Sequence, residues 1–177
     1  MKRHLFQAAE GALGAAAGTY FIGKSMGLMS KLPEDFRPPQ MKGDPAEYIV
    51  SRAERIAGRS LPERQRERAK KSTSWIYGVG GGVLLGALAP ALDLRSPGRA
   101  IAAGAALGAG VWAAGYAGWL PRAKLVDPLR QQSPKRAIAP LLTHMIYGVM
   151  AALPIWLVER WREPRRTRWQ SLVARLT

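Results

Sequence analysis

Four long apolar blocks, separated by strongly charged segments, dominate the pattern of the sequence. They run over about 5–29, 73–92, 98–120 and 137–158. An α-helix of about 20 apolar residues crosses a hydrocarbon core of about 30 Å, because each residue adds about 1.5 Å. The pattern therefore predicts one all-α, polytopic membrane domain over 1–177 with four membrane-spanning helices. An alternative has three spans, with the first block lying at the membrane interface.

The long connection between the first two blocks carries the pattern of an amphipathic helix at about 45–57. Asp44 is a suitable N-cap, Glu47 stands where it completes a capping box, and Gly58 is a typical stop signal. Six apolar residues share one face of this helix: Ala46, Ile49, Val50, Ala53, Ile56 and Ala57. We expect the helix to lie on a membrane surface or against a partner.

Charged helical segments flank the second and fourth blocks. A helix is expected to begin near Ser60 and to continue without a break into the second span. Pro154 is expected to interrupt the fourth block, because proline removes a helical hydrogen bond. Beyond that block, 159–177 reads as a basic amphipathic tail suited to an anionic membrane surface.

A short internal repeat relates the second block to the fourth. The segment TSWIYGV at 73–79 returns as THMIYGV at 143–149, with five of seven residues identical. Within the first and third blocks, GALGA at 11–15 similarly matches AALGA at 105–109. The order of these matches predicts two duplicated helical hairpins, related by an axis along the membrane normal.

The repeat and the glycine content together predict how the helices pack. The chain contains 19 glycines, many of them four residues apart inside apolar blocks, and such stripes let helix backbones approach closely in membranes. The predicted packing residues are Gly14, Gly18, Gly78, Gly82, Gly86, Gly104, Gly108 and Gly148. Aromatic residues near the block ends are predicted to anchor the helices at the membrane interfaces. These are Trp75, Tyr77, Tyr147, Trp161 and Trp169.

The charge distribution adds a partner and an orientation. The net charge is +15, and the basic residues crowd the ends of the apolar blocks, which favours anionic lipid headgroups over nucleic acid. The connections within the two predicted hairpins carry 16 Lys and Arg residues, against 10 on the other side, a slight preference for cytoplasmic hairpin loops. The absence of cysteine excludes disulfides and thiolate chemistry.

Three short segments resemble the YagU-like proteins, a bacterial inner-membrane family of unknown function. They are THMIYG at 143–148, SWIYG at 74–78, and the glycine-rich run at 104–121. The resemblance implies a multi-pass protein of the bacterial inner membrane and no particular activity. Ser74 stands where such proteins often have histidine, which argues against a paired-histidine site.

Candidate chemistry is confined to three ionisable residues inside the blocks. His144 is a candidate ligand for a pigment or haem, or a proton-relay group, but the second histidine, His4, stands at the extreme amino terminus. Glu10 and Lys24 lie about 21 Å apart along one helix and are expected to extend toward water at its two ends. We therefore predict no metal, no cofactor and no catalytic residue.

The sequence thus favours a non-catalytic membrane protein that acts through helix packing. The expected role is an accessory or scaffold subunit held to protein partners in a larger membrane complex by its glycine-lined helices. The alternative is a small oligomeric transporter or channel, for which polar residues should line the middle of the membrane.

Overall fold

The computed structural model of the chain describes the backbone of residues 2–173 and the side chains of residues 5–162. Over this range the secondary structure is helical, with no strand. The long helices are α1 (Lys2–Met29), α2 (Pro45–Ala57), α3 (Glu63–Leu92), α4 (Pro97–Trp112) and α6 (Pro134–Val173). A π-helical segment (Ala113–Trp119) and a single turn, α5 (Leu120–Arg122), extend α4.

Three helical stretches within the described range are long and apolar enough to cross a membrane. They are Glu63–Leu92, Pro97–Arg122 and Pro134–Arg162. The all-helical membrane prediction is therefore confirmed in this coarse form. α1 has 28 residues but is not among the candidate spans, because glycine and alanine dominate it and Glu10 and Lys24 interrupt it. The fourth span remains a prediction.

The four long helices α1, α3, α4 and α6 pack into one bundle. α1 runs antiparallel to α3, since Gln7 lies beside Gly86 while Thr19 lies beside Gly78. α1 is also antiparallel to α6, and α4 is antiparallel to α6. Over residues 7–19, α1 therefore contacts two of the candidate spans.

Glycine seams bring the helix backbones into direct contact. A Cβ atom added to Gly104 of α4 would lie 2.5 Å from the carbonyl oxygen of Gly148 in α6, and Gly82 and Gly86 of α3 meet the backbone of α1 just as closely. Each of the eight predicted packing glycines meets an atom of a neighbouring helix. Gly11, which meets Gly82, is a further member of the seam and was not among the predicted packing glycines. The seams therefore lie inside the bundle, where glycine permits close approach.

α2 packs against the amino-terminal part of α3, antiparallel to it. Glu47 of α2 forms ion pairs with Arg66 and Lys70 of α3, and Glu54 pairs with Arg66. The hydrogen bond from Arg66 holds the pKa of Glu47 below its ordinary value. The predicted capping box is wrong, because the Glu47 carboxylate binds Arg66 and Ser51.

The apolar face of α2 is only partly covered in this arrangement. Asp44 caps the helix by accepting a 2.8 Å hydrogen bond from the Ala46 amide, and Gly58 ends it with a φ of 65°. Ala46 and Val50 are buried, whereas Ile56, at the far end, is 80% exposed. The start of α2 thus belongs to the bundle, and its end projects away from it.

Two helix boundaries differ from the sequence predictions. α3 begins at Glu63 with Pro62 as its N-cap residue, three positions after Ser60, and continues into the apolar block as expected. Pro154 does not interrupt α6, which is continuous from Pro134 to Val173. Pro154 instead packs against α1, since its Cδ would lie 2.9 Å from a Cβ on Gly14.

Candidate functional site

A cavity of about 540 Å³ lies at one end of the bundle, which we call the loop end, where α1 meets the connection to α2. All four bundle helices contribute to it, and residues 37–46, which we call the strap, form part of its wall. The volume falls in the range typical of small-molecule sites. The wall is mainly apolar and aromatic, and includes Ile22, Met26, Tyr77, Val111, Tyr116 and Trp119. Polar side chains are few: Thr73, Ser74, Thr143 and His144 on the helices, with Arg37, Gln40 and Asp44 on the strap and Ser30 just before it.

The π-helical segment Ala113–Trp119 shapes one side of the cavity. It places Gly115, Tyr116 and Trp119 on the cavity wall. The extra residue per turn in a π-helix reorients the side chains that follow, and such segments are frequent at functional sites. Nothing in the propensities of AAGYAGW distinguishes a π-helix from an α-helix, so this feature cannot be predicted from the sequence.

His144 lies on the cavity wall beside the π-helical segment. Its ring meets the ring of Tyr116 edge-on, with 6.3 Å between centroids. Its Nδ1 atom lies 2.8 Å from the carbonyl oxygen of Pro140. A carbonyl only accepts hydrogen bonds, so Nδ1 carries the hydrogen, and in the neutral imidazole Nε2 is left as an acceptor. Within residues 5–162, Nε2 has no hydrogen-bond partner.

Tyr147, one turn further along α6, lies below the cavity. Its side chain is 2% exposed, and its hydroxyl donates a hydrogen bond across the bundle to the carbonyl oxygen of Gly78 in α3. Beyond this hydrogen bond the glycine seams close the bundle. The cavity therefore has a tightly packed floor.

The two tyrosines of the internal repeat differ in environment. Tyr77 is 48% exposed and lies on the cavity wall, whereas Tyr147 is in the core. Both were predicted to anchor the helices at an interface, and the buried hydroxyl of Tyr147 does not fit that description.

The strap is fixed by contacts with the connection that follows α5. The amide of Lys42 donates a 2.8 Å hydrogen bond to the carbonyl oxygen of Leu125, and the Lys42 side chain pairs with Asp127. Tyr48, in the first turn of α2, packs near Trp119, with ring centroids 6.4 Å apart. The strap side of the cavity wall is therefore held in place by contacts with the rest of the fold.

The other predicted chemical residues lie away from His144. Glu10, toward the opposite end of the bundle, pairs with Arg162 at 3.3 Å. Nearby, the buried Gln7 donates a 3.0 Å hydrogen bond to Glu159, a contact that no pattern in the sequence predicts. Lys24 is exposed, 5.6 Å from the centroid of the Tyr20 ring. These groups therefore form no common site with His144.

The remaining predicted residues are surface aromatics. Trp75 is 47% exposed and Trp161 is 76% exposed, so both can face lipid headgroups. The side chain of Trp169 lies outside the described residues. No group of three or more His, Asp or Glu side chains that could hold a metal occurs in the described part of the chain.

Comparisons of the chain with protein-family models, with curated proteins and with solved structures find no match.

Proposed function

We propose that this chain is a four-span protein of the bacterial inner membrane that binds a lipid-sized apolar molecule without transforming it. The observation that carries the proposal is the cavity of about 540 Å³ at the loop end. Its apolar wall, few polar groups and ordered strap fit a ligand that partitions into membranes. The three methionines on its wall suit such a ligand, because their flexible side chains adapt to irregular shapes.

The fourth span is supported by the packing of α1. Its contacts reach from Gln7, beside Glu159, to Thr19, beside Gly78, and so extend over about 18 Å, more than half of a hydrocarbon core of about 30 Å. A helix that packs antiparallel to two spanning helices over this length shares their depth in the membrane. The outward face of α1 carries apolar side chains, including Leu5, Phe6 and Leu13, which suit lipid contact.

The two roles expected from the sequence receive less support from the geometry. The accessory-subunit hypothesis relied on glycine stripes available to partners, but the predicted packing glycines contact neighbouring helices of this same chain. The transporter hypothesis requires a path through the bundle, whereas the Tyr147–Gly78 hydrogen bond and the seams close it below the cavity. A binding function accounts for the cavity without requiring either.

We expect a cysteine added at the amino terminus and one replacing Ser60 to lie on opposite sides of the membrane. The chain has no cysteine, so each variant carries a single reporter for a membrane-impermeant thiol reagent. If α1 spans, Ser96→Cys, in the turn before α4, should label from the same side as the amino terminus. Labelling of the amino terminus and Ser60→Cys from one side would contradict the fourth span.

We expect Gly115→Leu to abolish binding of the endogenous ligand. Gly115 is on the cavity wall, and a Cβ atom there would make only ordinary contacts, 3.7 Å from the Tyr77 hydroxyl. The rest of the leucine side chain would then occupy the cavity. Protein purified in a mild detergent is denatured, extracted with organic solvent, and analysed by mass spectrometry for small molecules in molar proportion to the chain.

Gly110→Leu is the matched control for this experiment. Gly110 lies in the same helix, with nothing within 4 Å of a Cβ atom there, and is not on the cavity wall. We expect the wild type and Gly110→Leu to retain a stoichiometric apolar molecule that Gly115→Leu has lost. Equal small-molecule content in all three proteins would contradict the binding function. Co-purification of a stoichiometric protein partner in its place would favour the accessory-subunit hypothesis.

A further inference from the structure

Three polar side chains on the helical wall of the cavity donate their hydrogens to backbone carbonyls of their own helices. The Thr143 hydroxyl donates to the Ala139 carbonyl at 2.8 Å, and the Ser74 hydroxyl donates to the Lys70 carbonyl at 3.2 Å. His144 donates from Nδ1 to the Pro140 carbonyl in the same way. What these three side chains leave for a ligand is acceptor atoms: two hydroxyl oxygens and Nε2 of the imidazole.

The other polar groups on the helices add no fixed hydrogen-bond donor to the cavity wall. Tyr77, Tyr116 and Thr73 carry hydroxyls that rotate and can donate or accept. The fixed donors, Arg37 and Gln40, and the carboxylate of Asp44 belong to the strap. Arg37 donates from Nε to the Leu32 carbonyl at 2.7 Å and keeps the N–H groups of its two terminal nitrogens, and Asp44 caps α2. These charged groups belong to the strap and not to the helical wall. The helical wall is thus rich in acceptors, and the charged groups are confined to the strap.

The acceptor atoms on the helical wall determine which polar group of a membrane-soluble ligand can bind there. A carboxylate or phosphate has only acceptor atoms, so the acceptors of His144, Thr143 and Ser74 would repel it. An ammonium group would lose its hydration among apolar side chains, with no carboxylate on the helical wall to compensate. An uncharged hydroxyl can donate to one of these acceptors at a small desolvation cost.

We infer that the cavity takes an apolar molecule whose polar end is an uncharged hydroxyl group, which donates to one of the acceptors that His144, Thr143 and Ser74 provide. The ligand class is therefore a long-chain or ring-bearing lipid alcohol. This inference rests on the proposed binding function and narrows its ligand.

The test compares three probes with the same alkyl chain: 1-tetradecanol, its methyl ether and tetradecanoic acid. The ether keeps the oxygen but cannot donate, and the acid is an anion at neutral pH. Each probe is titrated into the full-length protein in nanodiscs, and the bound fraction is measured by native mass spectrometry. We expect the alcohol to bind roughly three- to tenfold more tightly than the ether, the effect of one net hydrogen bond.

Two variants test which side chain accepts the hydrogen bond from the alcohol. His144→Phe keeps an aromatic ring beside Tyr116 but removes the acceptor, and Thr143→Val keeps the shape of its side chain but removes the oxygen. At least one of the two should lower the affinity for the alcohol by roughly three- to tenfold and leave the affinity for the ether unchanged. The two variants change different side chains, so if one fails to fold, the other still tests whether the acceptor atoms bind the alcohol.

The outcomes separate this inference from the function on which it rests. Equal binding of alcohol and ether by the wild type, or tightest binding of the acid with a loss in Arg37→Gln, would overturn the hydroxyl assignment and leave the binding function standing. If none of the probes binds the wild type better than it binds Gly115→Leu, both the proposed function and the inference fail.

Discussion

Replacing Gly82 by leucine is expected to separate α1 from α3 and to lower the free energy of unfolding by about 3 kcal/mol or more. A Cβ atom at this position meets the backbone of Gly11 and the side chain of Ala15, and both belong to α1. Backbone atoms cannot rotate away as a long side chain can, so relief requires the two helices to move apart. The packing of every residue along the α1–α3 seam would weaken together.

The measurement is reversible unfolding in mixed micelles, followed by circular dichroism, with Gly80→Leu as the control. Gly80 lies in the same helix, two residues before Gly82, and nothing lies within 4 Å of a Cβ atom there. That substitution should be neutral or slightly stabilising, because leucine favours the helical conformation more than glycine does. Equal stability of Gly82→Leu and Gly80→Leu would show that α1 and α3 do not pack through this seam.

Tyr147→Phe is expected to lower the free energy of unfolding by about 1–2 kcal/mol, whereas Tyr77→Phe should have little effect. The two residues occupy the same position in the repeated heptads. Only Tyr147 is buried, at 2% exposed, and its hydroxyl bridges α6 and α3 by donating to the Gly78 carbonyl. Phenylalanine would leave that carbonyl without this donor while keeping the volume of the ring.

The same unfolding measurement checks this pair of substitutions, since each removes one oxygen atom from a tyrosine. If Tyr77→Phe lowers the free energy of unfolding more than Tyr147→Phe does, the stabilising interhelical hydrogen bond is made by Tyr77 and not by Tyr147. Equal, small losses would mean that the Tyr147 hydroxyl finds another partner, and that the floor of the cavity does not depend on it.

Much of the fold follows from local signals in the sequence. Asp44, Pro45 and Gly58 delimit α2 because capping and left-handed glycine act over a few residues. The apolar blocks locate three candidate spans, and four-residue glycine spacing identifies the faces that pack. Each of these signals acts within one helix, where spacing along the chain determines position in space.

The features that the sequence did not predict depend on which helices become neighbours. Glu47 favours Arg66 over the α2 amino terminus because α2 packs on α3, and no pattern within α2 specifies that contact. Closely similar heptads give Tyr77 and Tyr147 different surroundings, since α6 contacts three other bundle helices at this level. The cavity itself arises where the helices leave space between them, and no single residue encodes such a space.

The glycine seams and the cavity divide the bundle into two parts of unequal stiffness. Backbones in contact at Gly82 and Gly104 leave the helices little freedom to slide or tilt locally, whereas the side-chain contacts around Met26, Met29 and Met41 can rearrange. Thermal fluctuations should therefore be concentrated at the loop end. A molecule bound as proposed would then enter and leave through small motions of the strap and nearby side chains. The rate of these motions, and not the opening of the whole bundle, would determine its residence time.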